Sequence, residues 1–275
     1  LTGFSPQTEG WEEGTALRQM LEAFGGGIEL TTLCAVPKGS GLGTSSVLGA
    51  TVIAAVAKLQ GRELSRRELF HRVLLLEQML TTGGGWQDQI GGAVGGVKLI
   101  RTDPGMVPDP EIRWLHHGAF CPTVNGGSTL LYYTGITRLA KNILHSVVGR
   151  YLDRDREALE VLRRLLDSCE TIREALERRD VGKLGAAVDT VWNLNKTLDP
   201  GSTNERVEEL LDRVRPYAAG TKLLGAGGGG FMLIVCPDPR RAEKCREDLE
   251  ASPPNDLARF FDFEVSNRGL EVTVS

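Results

Sequence analysis

Apolar residues recur every third or fourth position through Leu159, Leu162, Leu165, Leu166, Cys169, Ile172 and Leu176, and that stripe predicts one long helix with a single core-facing side. The surrounding stretch, 137–217, reads as mostly helical. Upstream, residues 11–24 carry a helical pattern that Gly25-Gly26-Gly27 ends, and Ile28 to Val36 alternates like a strand that Pro37 stops. Thr44 to Leu59 reads as a helix of small and branched residues, apolar enough to lie in the core. Ser65 and Glu68 stand at capping-box spacing and open a further helix to about Leu80. Strands are predicted near 93–101 and 128–134, and again at Phe231 to Val235, 258–264 and 269–274, with a helix over 240–250 between the last three. A helical middle followed by mixed helices and strands predicts an α+β molecule of two intimate lobes, with a boundary near 125–140.

Composition changes this picture little, but it narrows the function. The 275 residues are 41% hydrophobic and 25% charged, with a net charge of -4, which suits a globular protein and gives a general nucleic-acid binder no basic face. No apolar run reaches the roughly 18 residues a membrane-crossing helix needs, and no signal peptide opens the chain, so a cytoplasmic protein is expected. Five scattered cysteines, never spaced as C-x-x-C, predict reduced thiols. The four histidines, at 71, 116, 117 and 145, lack metal-ligand spacing.

Glycine loops carry the candidate chemistry. Pro37, Lys38, Gly39, Ser40, Gly41, Leu42, Gly43, Thr44, Ser45 and Ser46 join the predicted strand to the helix. Glycines admit φ > 0 and close backbone approach, so successive N–H groups can point inward, and the helix that follows adds its own free N–H groups. Three adjacent hydroxyls can meet phosphate oxygens or a Mg²⁺ ion. No Gly-Lys-Ser/Thr closes the loop, so it is not a Walker loop. Glu77 stands near the end of its helix and Asp88 follows eleven positions later, beyond Gly83-Gly84-Gly85-Trp86-Gln87. That arrangement can bring two carboxylates to a metal and a triphosphate, which is most of what phosphoryl transfer requires. Gly225-Ala226-Gly227-Gly228-Gly229-Gly230 matches G-x-G-x-x-G but precedes a strand rather than following one. It reads instead as a backbone brace for the first loop, or as a ligand contact.

In this order, P-x-x-x-G-L-G-T-S, the helix glutamate with G-x-x-D-Q, and G-A-G-G-G-G, the chain resembles the GHMP kinase superfamily over roughly residues 28 to 275. Gly83 to Gly92, Tyr133-Thr134-Gly135-x-x-Arg138-x-Ala140 and Thr203-Asn204 look like its fucokinase branch, and also like its heptose 7-phosphate kinase branch. The resemblance implies ATP and Mg²⁺ as cofactors, a small-molecule sugar as the partner, and transfer of the γ-phosphate to the anomeric hydroxyl of L-fucose. It implies an ATP phosphate loop over 37–46, joined by Gly227 and Gly228, with Ser45 and Glu77 holding Mg²⁺. Asp88 would orient or deprotonate the attacking hydroxyl, and Trp86, Gln87 and Arg138 would meet the sugar. Arg138 and Lys141 share one helix face by their spacing, where either can meet a phosphate. A heptose 7-phosphate kinase, or a nucleotide-binding module impaired in catalysis, are the competing expectations. The implied fold is an ATP-binding lobe over 1–130 and a second lobe over 131–275, the latter a ferredoxin-like αβ sandwich with added helices. The family's opening strands, its basic residue near the transferred group and its acidic pair for the sugar have no recognisable version in Leu1–Gly27. A first lobe short of those strands is therefore expected.

Overall fold

The structure, a computed structural model, describes residues 19, 22, 23, 25–80, 85–105, 109–136 and 141–274. It divides into two units, 1–35 and 36–275. The predicted strand Ile28–Val36, which runs to the start of the second unit, is irregular and largely exposed. The helix expected over 11–24 lies almost wholly outside the described residues.

The second unit opens with α1 (Thr44–Leu59), α2 (Arg66–Met79) and the short α3 (Gln87–Ala93). Ser65 caps α2 and Glu68 returns the bond, so the predicted capping box is complete. Helix α1 is less buried than its composition suggested. Ser46, Gly49, Ala50 and Ala57 face inward, whereas Val47 and Leu48 remain more than a third exposed. Its small inner residues let α2 approach closely: a Cβ on Gly49 would lie 3.1 Å from the Leu76 side chain. Ala50, Leu69 and Val73 form the core between these helices.

An antiparallel hairpin follows, β1 (Lys98–Arg101) with β2 (Glu111–Trp114). The predicted strand at 93–101 is shorter than expected, because Ala93 closes α3. After the short α4 (Pro122–Asn125) come β3 (Thr129–Tyr133) and four helices, α5 (Lys141–Leu152), α6 (Arg156–Arg178), α7 (Val181–Leu198) and α8 (Glu205–Val214). The chain ends with β4 (Gly220–Leu223), β5 (Phe231–Val235), α9 (Pro239–Ala251) and β6 (Arg259–Phe261). Residues 269–274, expected as a strand, are irregular. Isolated bonds such as Leu270 N–H to the Ala93 carbonyl (3.0 Å) tie that tail down instead of a ladder.

The second sheet has the order β4-β5-β3-β6, with every neighbour antiparallel. Its strands, taken in chain order, give the split βαβ arrangement of a ferredoxin-like sandwich. One face packs on α8 and α9 through Val207, Leu210, Val214, Cys245 and Leu249. The other receives α6 and α7 through Ala175, Leu176, Leu184 and Val188. Helix α7 comes so close that a Cβ on Gly220 would lie within 2 Å of the Gly185 carbonyl oxygen. The α6 stripe is narrower than the sequence pattern: Leu176 is buried, but Leu159, Leu166 and Cys169 are exposed. The α+β expectation holds, with helices alongside antiparallel sheets.

Candidate active site

Gly39, Gly41 and Gly43 all take positive φ, at 74°, 76° and 64°, so the loop before α1 curls through a conformation that residues with a Cβ rarely adopt. Gly43 is the cap of α1 and brings no side chain to it. The first intrahelical bond runs from Val47 N–H to the Gly43 carbonyl at 3.1 Å. The N–H groups of Thr44, Ser45 and Ser46 therefore have no acceptor within the helix, and an anion suits that position.

The late glycine run holds this loop by backbone contact. A Cβ on Gly41 would lie 2.3 Å from the Leu224 carbonyl oxygen, and one on Gly230 would lie 2.6 Å from that of Ser40. Phe231 N–H donates to the Ser40 carbonyl at 3.1 Å. Bracing was one of the two readings of the G-A-G-G-G-G run, and the packing of Gly225 and Gly230 has that form. Gly227 and Gly228 sit differently. Gly228 N–H donates to the Ser202 carbonyl at 2.5 Å, and a Cβ on Gly227 would meet the same oxygen. Asn204, the cap of α8, donates from Nδ2 to the Gly228 carbonyl at 3.1 Å, which ties the run to the turn before α8.

Below the loop, three buried polar side chains meet. Ser46 Oγ donates to Glu77 Oε1 at 2.8 Å. The Gln89 amide donates to Glu77 Oε2, and also to the Gly85 carbonyl at 3.0 Å. Ser46, Glu77 and Gln89 are exposed by only 2%, 7% and 1%, so this carboxylate is withdrawn from bulk water and held at both oxygens. Asp88 leans on the loop from the other side, and a Cβ on Gly43 would lie 3.0 Å from its carboxyl carbon. Desolvation raises the Asp88 pKa above the usual aspartate value, and the nearby Glu77 charge raises it further, while a hydrogen bond with Gln87 works the other way.

The sequence reading and the structure bring Glu77, Asp88 and residues 39–46 together. Of the two serines, Ser46 touches Glu77, while Ser45 is exposed at the first turn. Pro37, Leu42 and Thr44 are partly buried along the loop, and Ser40 is fully buried, its Oγ accepting from Leu42 N–H at 3.4 Å. Trp86 is half-buried and Gln87 exposed beside Asp88. Arg138, Gly83, Gly84 and the Lys141 side chain lie outside the described residues. Gln89 was missed, although the D-Q pair that contains it was in plain view.

The family described as GHMP kinases N terminal domain matches residues 13–96, and GHMP kinases C terminal matches residues 172–255. The chain belongs to the GHMP kinases. An L-fucokinase/L-fucose-1-P guanylyltransferase of Bacteroides fragilis is 41% identical over 275 residues, which is all of this chain and 29% of that protein. A bifunctional fucokinase/GDP-fucose pyrophosphorylase of Arabidopsis thaliana is 39% identical over 224 residues, 82% of this chain and 21% of its own length. This GHMP kinase chain thus spans less than a third of either. A D-glycero-alpha-D-manno-heptose 7-phosphate kinase of Campylobacter jejuni is 30% identical over 216 residues, 77% of this chain and 62% of that protein.

For a GHMP kinase the donor set fits a hard cation. Glu77 and the Thr-Ser-Ser hydroxyls offer only oxygen, which suits Mg²⁺. Among the described residues no three His, Cys, Asp or Glu side chains cluster as a self-sufficient metal cage.

Proposed function

We propose that this chain is the phosphoryl-transfer part of an L-fucose kinase, converting L-fucose and ATP to fucose 1-phosphate and ADP. The observation that carries the reading is the convergence of the uncapped α1 N-terminus, the buried Ser46–Glu77 pair and Asp88 on one glycine loop. The greater identity to the two fucokinase-containing relatives than to the heptose 7-phosphate kinase favours L-fucose over the phosphorylated heptose.

In this reading residues 37–46 bind the triphosphate through backbone N–H groups and hydroxyls, and Gly227 and Gly228 complete the wall. Glu77 and the Ser45 hydroxyl would hold Mg²⁺, which would supply charge neutralisation for the phosphates. Asp88 accepts a hydrogen bond from the anomeric hydroxyl and takes its proton as the oxygen attacks phosphorus, and the β-phosphate leaves as part of ADP. Asp88 is an exposed residue, and its raised pKa makes it a better proton acceptor than a free aspartate, which assists that step. Trp86, Gln87 and Arg138 flank the sugar. The ATP-binding lobe takes in residues 1–130 and the second lobe 131–275, a division that the separate matches at 13–96 and 172–255 support. The work is assigned to the cytoplasm, in keeping with five free cysteines. No helix among the described residues is long and apolar enough to cross a membrane.

The test is ADP release by this chain with L-fucose, galactose, mannose, mevalonate and heptose 7-phosphate, each at matched concentration. L-fucose should give the highest kcat/KM. A preference for heptose 7-phosphate would move the assignment to that branch. Tight ADP binding without turnover on any sugar would leave the nucleotide-binding module.

A further inference from the structure

Glu77 makes a poor metal ligand unless something fixes it. A glutamate carboxylate turns about its terminal bond with little resistance, and a ligand must present its lone pairs in one direction. Here Ser46 occupies one side of Oε1 and the Gln89 amide one side of Oε2. Each carboxylate oxygen can accept more than one bond.

The orientation of the Gln89 amide is not arbitrary. Flipping it would turn the amide oxygen onto the Glu77 carboxylate, two acceptors facing each other in a buried place. With Nε2 on Glu77, the same nitrogen also reaches the Gly85 carbonyl, so one side chain links α2 to the turn that carries Trp86, Gln87 and Asp88. That leaves Gln89 Oε1 buried with no donor among the described residues. A buried acceptor without a donor destabilises the fold, and sequences seldom retain one without a use.

We propose that Gln89 is a positioning residue of the phosphoryl-transfer site. It locks the Glu77 carboxylate toward the cation, and its orphan Oε1 accepts a hydrogen bond from a donor that arrives with the ligand, such as a water carried on the metal. The inference rests on the kinase reading above and adds to it a residue that touches neither sugar nor phosphate. Partners of this kind around metal ligands commonly contribute about 10–100-fold in metal affinity.

The test is direct binding of Mn²⁺ in the presence of saturating ADP, read by electron paramagnetic resonance, beside ADP binding without metal read by calorimetry. Gln89→Met keeps the length and removes both polar atoms. Gln89→Asn keeps the amide but draws it back by one methylene, and it serves if the Met chain does not fold. Either should weaken Mn²⁺ binding by about tenfold or more, with metal-free ADP affinity unchanged. Equal Mn²⁺ affinity in a folded variant and the unsubstituted chain overturns the inference alone. A parallel loss of metal-free ADP binding also overturns it, because a side chain that merely holds the fold would move both. No binding of Mn²⁺ with ADP by the unsubstituted chain overturns the kinase reading and this inference with it.

Discussion

Asp88 and Lys222 are two of the side chains whose ionisation the fold works against, and they carry opposite consequences. The ionised form of Asp88 is disfavoured by desolvation first and by Glu77 second. A carboxyl whose folded pKa is raised holds its proton more tightly than the unfolded chain does, so folding stability falls as pH rises through the carboxylate range. Asp88→Asn should accordingly unfold at a slightly higher temperature at neutral pH, while sugar phosphorylation drops by about 10²–10⁴-fold. A thermal melt beside a rate measurement checks both halves, and near-normal turnover removes Asp88 from its role. Lys222, on β4, is pushed down to about 8 by burial, and its ammonium donates to the Leu223 carbonyl at 2.8 Å. Here the unfolded chain binds the proton more tightly, so stability rises between about pH 8 and the ordinary lysine value and is lost as pH falls through 8. Lys222→Met should stabilise the chain by roughly 1–3 kcal/mol at pH 7 and by far less at pH 10, read from urea midpoints.

Elements show how much of this was legible in the sequence. Helices α1 and α2 follow from their patterns almost to the residue, because a glycine loop and a capping box mark where they start. The brace role of the late glycine run was also legible, since glycines ahead of a strand suit close backbone approach. Helix α3 was not, because Gly91 and Gly92 weaken any local helical preference and the helix depends on burying Ile90 and Gln89. Strand β2 escaped because only Ile112 of its four residues turns even partly inward. The choice between Ser45 and Ser46 was beyond pattern. Neighbours on a helix point about 100° apart, and only α2 decides which one meets Glu77. At this scale Gly41 is the position most exposed to damage. Gly41→Ala combines a φ of +76° with a carbonyl oxygen 2.3 Å from the new methyl. We expect a loss of roughly 2–4 kcal/mol in stability and no measurable ADP binding by calorimetry. Retained ADP affinity would mean that the loop does not grip phosphate.

Across the whole second unit, the hairpin and the long helix α6 are joined by charge. Arg101 reaches Glu170 at 2.6 Å and Arg113 reaches Glu177 at 2.7 Å. Arg173 lies between those glutamates on the helix and bonds both, at 2.6 Å each. The hydrogen bond from Arg173 is the leading cause that holds the Glu170 pKa below its usual value. Stability from that glutamate is therefore present at neutral pH and is lost as pH falls through the carboxylate range. Isolated surface pairs contribute little, but a shared arginine makes a network. Arg173→Ala should lower Tm at neutral pH, less so at high salt and less again at acid pH. A Tm decrease independent of salt would assign its effect to packing of the arginine stem instead.

The glycine loop near the start of the unit leans on carbonyls and glycines from its last third, and this bears on synthesis. While the ribosome is still building the chain, Gly41 has no Leu224 to rest against and Ser40 has no Phe231 to bond. A ligand held by this loop can assist folding only after β5 has emerged, late in the making of this unit.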